Sequence, residues 1–124
     1  ITRGGFALLV DSSGDANRDA QKSWAAAVAW SARAAGLRPL DGPVSVEIAF
    51  AMPRGRSVKR AHPTVKPDLD KLLRTALDAL TGIAWVDDAQ VVRVVGAKDY
   101  ATRSGRPGAW ITVEPASVGE EQER

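Results

Sequence analysis

The chain has 124 residues, of which 44% are hydrophobic and 26% are charged, a balance typical of one globular domain. It contains no cysteine and a single histidine, which excludes a disulfide framework, a thiolate metal site and a Cys nucleophile, so any bound metal must be held by oxygen. The net charge is only +2, but five cations and no acid lie within residues 51–67, and such a local excess fits a polyanionic partner such as nucleic acid.

Two interpretations of this basic segment (residues 51–67) stay open: a phosphate-binding surface and a solvated, flexible loop. Phosphate contacts would position DNA without reading its sequence. We interpret His62 as a loop or phosphate-contacting residue rather than a catalytic base, and Arg103 and Arg106 as weaker phosphate-binding candidates in a solvated loop. The candidate DNA-binding residues are Arg54, Arg56, Lys59, Arg60 and Lys66.

The first third of the chain predicts a strand and a helix. Residues 6–10 form a short apolar run that fits a strand. Residues 18–35 are rich in Ala and lack Pro and Gly, which predicts a helix that ends at Gly36. Trp24 and Trp30 are six positions apart, about 120° around this helix, and so lie on different faces. We therefore expect one in the core and the other at a second surface, either partly covered or in a subunit contact.

The middle of the chain predicts a second strand and a second helix. Apolar residues alternate with Ser, Glu and Ala over residues 43–50, which is typical of a half-buried strand. Over residues 69–80, Leu and Ala repeat at the spacing of an amphipathic helix. Asp68 is a suitable N-cap for this helix, and Gly82 is expected to end it.

Two more strands are expected, at residues 91–95 and 109–113. The order strand, helix, strand, helix, strand, strand predicts an α+β fold in which two main helices pack on a small mixed sheet. We expect a single domain over residues 1–114, followed by a flexible acidic tail at 115–124. No apolar run approaches the ~20 residues that cross a bilayer and no secretory leader is evident, so we expect a cytoplasmic protein without a membrane partner.

Four aspartates flank the second predicted helix: Asp68 and Asp70 at its start, and Asp87 and Asp88 before the next strand. Helical positions two apart point about 200° away from each other. The first two can therefore share a metal only if Asp68 lies outside the regular helix, which Pro67 favours. Each acid also has an ordinary role, as a cap, a helix-dipole partner or a turn residue. Clustered beside a basic segment, they would suit Mg²⁺-assisted phosphodiester hydrolysis.

The motifs KPDLDKLLR at 66–74, LDAL at 77–80 and WVDDAQVV at 85–92 together resemble the RusA family of Holliday-junction resolvases. The similarity extends more weakly over about residues 40–114. It implies a RusA-like nuclease domain of phage or prophage origin that works in DNA recombination and repair. It also implies a homodimer that cuts four-way DNA junctions symmetrically with Mg²⁺, Mn²⁺ being the alternative ion.

Carried over residue by residue, the resemblance implies that Asp68, Asp70 and Asp88 are catalytic metal ligands, and Asp87 beside them is a further candidate metal ligand. Arg74 stands where the family commonly has a catalytic lysine. Arginine keeps the charge but cannot shuttle a proton near neutral pH, so we expect it to stabilise transition-state charge. Members usually start with a further strand and a basic stretch, whereas this chain opens at ITRGG, so we expect that strand to be missing. Arg74 and the expected lack of the amino-terminal strand keep an alternative open. In this alternative the chain is a branched-DNA-binding protein of the same fold that does not cut DNA.

Overall fold

The structure is a computed structural model that describes residues 5–11, 20–102 and 105–116. Its elements follow the predicted order, with a short 3₁₀ helix added before the third strand: β1 (Phe6–Asp11), α1 (Ala20–Ala34), β2 (Val44–Met52), α2 (Leu69–Leu80), the 3₁₀ helix (Asp88–Gln90), β3 (Val91–Tyr100) and β4 (Gly108–Pro115). The strands form one mixed sheet in the order β1-β4-β2-β3, which confirms the predicted α+β fold.

The direction of α2 follows from the two strands that it connects. β2 and β3 are parallel neighbours, so α2 must run back across the sheet between them. Its first half packs on the second half of β3, where a Cβ added to Gly96 would lie only 2.7 Å from Leu73 Cδ2. The amino-terminal end of α2 therefore lies near the carboxyl-terminal end of β3.

Both helices cover the same face of the sheet. The alternation predicted for the second strand is present, since Val46, Ile48 and Phe50 are buried on the helix side. Trp24 packs edge-on against Phe50 with ring centroids 5.6 Å apart, while Trp30 is 71% exposed on the other side of α1. The prediction of one inward and one outward tryptophan is thus confirmed, and a subunit contact at Trp30 stays a prediction.

The other face of the sheet carries no helix within the described residues. Leu9 of β1 lies directly across from Trp110 of β4, which in turn lies across from Ala49 of β2. All three residues are exposed. The domain is thus a two-layer structure, helices on sheet, within the part of the chain that the structure describes.

All four strands are longer than predicted, β3 and β4 by the most. β3 continues to Tyr100 rather than ending at residue 95, because β2 pairs with it as far as Met52. β4 includes Pro115, the first residue of the expected tail, which pairs with Val44. The start of the first helix at residue 18, Arg103 and the tail at 117–124 lie outside the described residues. None of the described helices is long and apolar enough to cross a membrane.

Candidate active site

The first acidic pair lies at the amino-terminal end of α2. Asp68 is the N-cap residue, with φ −68° and ψ 146°, and therefore lies outside the regular helix. This is the position that Asp68 needs if it is to share a metal ion with Asp70. Its side chain makes no capping hydrogen bond, so Asp68 is a cap by position only. Both carboxylates are exposed, and the turn before the helix contains the cis Lys66–Pro67 peptide bond.

A cleft of about 520 Å³ runs between α2 and β3. Asp70, Arg74 and Asp88 line it, and the remaining lining residues are Leu73, Leu77, Asp78, Val91 and Val94. Within the described chain, the side chains of Asp70, Arg74 and Asp88 form no ion pair or hydrogen bond. Two carboxylates and a guanidinium are therefore available to a ligand along one cleft.

The acids at the two ends of α2 do not converge within one chain. Asp88 directly precedes the start of β3, whereas Asp70 lies near its far end, beyond the point where α2 crosses Gly96. About 17 Å of strand separates Val91 from Gly96. Accordingly, no three His, Asp or Glu residues come together in a metal-sized group among those whose side chains the structure describes. One described chain supplies the acids but does not assemble the expected cluster.

Asp87 has a structural role that its neighbour lacks. Its Oδ1 accepts a hydrogen bond of 2.9 Å from Ala89 N, and Gln90 Oε1 accepts one of 2.9 Å from Asp87 N, which completes a capping box around the 3₁₀ helix. This box turns the chain so that Asp88 faces the cleft. The turn-forming role weighed for Asp87 in the sequence is thus present in the structure.

Two motif residues without an assigned role in the sequence turn out to hold this turn. Gln90 Nε2 donates to Leu40 O at 2.8 Å and to Gly42 O at 2.9 Å, which ties the turn to the chain entering β2. Trp85 is fully buried, and its Nε1 donates to Thr81 Oγ1 at 3.0 Å. Their presence in the motif WVDDAQVV is the signal that could have drawn attention to them.

The basic segment is fastened to the end of β3 through Tyr100. Arg60 Nη1 donates to the Tyr100 hydroxyl at 2.6 Å, and the guanidinium of Arg54 lies 4.7 Å from the centre of the Tyr100 ring. Arg56, Lys59 and Lys66 are exposed and have no side-chain partner in the described part of the chain. The candidate DNA-binding residues thus divide into two arginines held on Tyr100 and three unpaired cations.

Further contacts tie the same segment to the two residues before Tyr100. Lys98 Nζ donates to Val65 O at 2.7 Å and to Pro67 O at 2.8 Å, and His62 Nδ1 lies 2.9 Å from Asp99 Oδ1. These contacts argue against a freely solvated loop. The sequence Lys-Asp-Tyr at 98–100 gave no signal of this role, because its partners are more than thirty positions away.

Comparison with known proteins places these residues in a family. The family model for endodeoxyribonuclease RusA matches residues 13–114, which include every acid and cation of the cleft and of the basic segment. The chain belongs to the RusA family. The recognition made from the motifs is therefore confirmed, and the chain is a member of a family of endodeoxyribonucleases.

One curated relative is similar to part of this RusA-family chain. It is the uncharacterized protein YqaN of Bacillus subtilis (strain 168), 31% identical over an alignment that covers 50% of this chain and 52% of the relative. The chain thus matches about half the length of this relative. Because its name states no activity, the relative adds no function to what the family gives.

Proposed function

We propose that this protein is a Mg²⁺-dependent endonuclease that cleaves four-way (Holliday) DNA junctions in DNA recombination and repair. Membership of an endodeoxyribonuclease family supports cleavage of DNA. The observation that carries the proposal is the set of unpaired charges in the cleft, Asp70, Asp88 and Arg74, beside a segment with exposed cations. We also propose a cytoplasmic location and a phage or prophage origin, in line with the resemblance.

The donor chemistry of the acids suits a hard divalent cation. Asp68, Asp70 and Asp88 would hold it through carboxylate oxygens, the ligands that Mg²⁺ takes in proteins and that Mn²⁺ also accepts. The bound ion would supply Lewis-acid polarisation of the phosphate and activation of water. The guanidinium of Arg74 presents a fixed fork to phosphate oxygens and offsets the charge that develops during attack. Asp87 contributes through the turn, because one of its oxygens is engaged by Ala89 N.

A homodimer would complete the site that one chain leaves divided. β3 is an edge strand, and it exposes Val92 and Val95. Antiparallel pairing of two such edges across a two-fold axis sets the start of one β3 against the end of the other. This arrangement would bring Asp88 of one copy toward Asp68 and Asp70 of the second copy. Two such composite sites, related by symmetry, suit paired cuts in opposed strands.

The test is incubation of the purified protein with a four-way junction and with linear duplex, each with Mg²⁺ and with EDTA. We expect paired nicks in the junction only, and none in EDTA. Asp70→Asn should lower the cleavage rate by at least about 100-fold, because a metal ligand is lost, while junction binding is retained. The matched control is Asp41→Asn, an exposed acid outside the cleft, which should cut like the wild type. Full activity in Asp70→Asn would contradict the assignment.

A second candidate function has specific support. Arg74 replaces a residue that commonly takes part in catalysis in the family, and the acids do not form a cluster in one described chain. Both features fit a protein that binds branched DNA without cutting it. Retarded but uncut junction, unchanged by EDTA, would establish this alternative and exclude the nuclease.

A further inference from the structure

Lys98 occupies an unusual place for a cation. In the sheet register it lies across from buried Phe50, so its side chain leaves β3 on the face that the helices cover. Its ammonium group reaches the carbonyls of Val65 and Pro67, at 2.7 and 2.8 Å, directly before the amino-terminal end of α2. Helix amino termini carry partial positive charge and disfavour nearby cations. The two carbonyls offset this cost, and the lysine ties the turn to the sheet.

Tyr100 is two positions further along the same strand and therefore projects to the same side as Lys98. Its ring and hydroxyl hold Arg54 and Arg60 of the basic segment. One face at the end of β3 thus fastens both parts of the connection between β2 and α2. Lys98 fastens the turn that carries the first acidic pair, and Tyr100 fastens the arginines.

We propose that Lys98 and Tyr100 are positioning residues with separate tasks, an inference that rests on the proposed function. Lys98 sets the position of Asp68 and Asp70, and Tyr100 sets that of the basic segment. The carboxylate of Asp68 makes no hydrogen bond to its own helix, so its place depends first on the backbone of the turn that carries it. Loss of the Lys98 contacts would displace Asp68 and Asp70. Loss of the Tyr100 contacts would instead change how Arg54 and Arg60 bind phosphate.

The first test separates cleavage from binding. Lys98→Met should slow single-turnover cleavage of saturating junction about tenfold or more, the usual effect of losing a residue that orients metal ligands. The Kd for the junction, measured in EDTA, should stay within about twofold of the wild-type value. Lys98→Arg should restore most of the rate. Tyr100→Leu should raise the Kd several-fold and leave the saturated rate unchanged, with Tyr100→Phe in between because the ring remains. Lys22→Met, at an exposed position on α1, is the control and should change neither quantity.

Wild-type cleavage in Lys98→Met, or parallel loss of binding and cleavage in both variants, would overturn the proposal. A second test needs neither metal nor DNA. The amides of Lys71 and Leu72 donate to Asp68 O, each at 3.1 Å, and they report on the turn. Their hydrogen exchange should become about tenfold faster in Lys98→Met and stay unchanged in Lys22→Met.

The exchange measurement also keeps the two proposals apart. If the wild-type protein cuts no junction, the proposed nuclease fails, and faster exchange in Lys98→Met still supports the tie between Lys98 and the turn. If the wild type cuts and exchange in Lys98→Met equals that of the wild type, the assignment of Lys98 fails while the nuclease stands.

Discussion

Asp87 and Asp88 are adjacent in the sequence, yet their carboxylates have different surroundings. Asp87 accepts a backbone hydrogen bond in the capping box, whereas Asp88 lines the cleft without a side-chain partner among the described residues. Residue type alone does not separate the two, because an aspartate suits a turn and a metal site equally well, and only the family resemblance distinguished them. The distinction depends on the direction in which a 3₁₀ helix turns the chain.

The capping role of Asp87 predicts that two substitutions at this position differ in their effect on stability. Asp87→Ala removes the capping acceptor and should lower the free energy of unfolding by about 1 kcal/mol, measured by urea denaturation. Asp87→Asn keeps a capping oxygen and should unfold like the wild type. Both variants should cut junctions at 25 °C. Loss of cleavage in Asp87→Asn would instead make Asp87 a metal ligand.

At the level of elements, side chains add to the 3₁₀ helix and to backbone hydrogen bonds in holding the connection between α2 and β3. Gln90 uses both ends of its amide: Nε2 donates to two carbonyls near the start of β2, and Oε1 accepts from Val86 N and Asp87 N, each at 2.9 Å. Trp85 lies buried in the core before this turn, and its Nε1 donates to Thr81 Oγ1. These bonds fix the position of Asp88 relative to the sheet.

Replacing this amide by a carboxylate should therefore be costly. Gln90→Glu loses both donors and sets a negative oxygen against the carbonyls of Leu40 and Gly42. We expect the free energy of unfolding to fall by about 2 kcal/mol, measured by urea denaturation at pH 7. The reverse exchange, Glu47→Gln, breaks only an exposed ion pair with Arg93 and should change stability by less than about 0.5 kcal/mol. Equal stability of both variants and the wild type would show that Gln90 does not hold the turn.

Local patterns in the sequence were sufficient to predict both helices, four strands, and the buried faces of β2 and α2. They failed for the second half of β3, because Lys98 and Asp99 interrupt the apolar pattern there. Pairing with β2, which is distant in sequence, extends the strand. The ties of Gln90 could not be predicted for the same reason, since Leu40 O lies 50 positions away. The acids were found from their motif, and their separation at the two ends of α2 became visible only in the fold.

At the scale of the whole molecule, the main feature is that the acids lie at opposite ends of α2. In the described chain, Asp88 does not join Asp68 and Asp70 in a metal-sized group. In the homodimer that we propose, a second copy paired at β3 would bring them together. Such a division of the ligands between two chains would have a genetic consequence. Two variants that are each inactive should complement one another when their defects lie at different ends of the helix.

Mixing Asp70→Asn and Asp88→Asn chains tests this arrangement directly. In a heterodimer both defects fall into one composite site, and the other site keeps all its acids. Random reassembly makes about half of the dimers heterodimers, and each of these has one intact site of two. We therefore expect single-strand nicks, from about a quarter of the number of sites in the wild type. Mixing Asp68→Asn with Asp70→Asn, whose defects lie at the same end, should restore nothing. If the first mixture is also inactive, each site draws its acids from one chain.

The sheet order β1-β4-β2-β3 also determines when the molecule can fold during its synthesis. β4 is the last strand of the described chain, yet it lies between β1 and β2 and pairs with both. A nascent chain that has emerged only as far as Tyr100 already contains every candidate ligand, but β1 has no strand to join and one edge of β2 is open. Such long-range pairing is slow, and apolar strand edges stay exposed until it occurs. Residues 108–115 must therefore be synthesised before the core can close. The candidate site residues are therefore synthesised before β4, but the sheet that positions them is complete only after β4 has joined it. β4 itself contributes none of these residues.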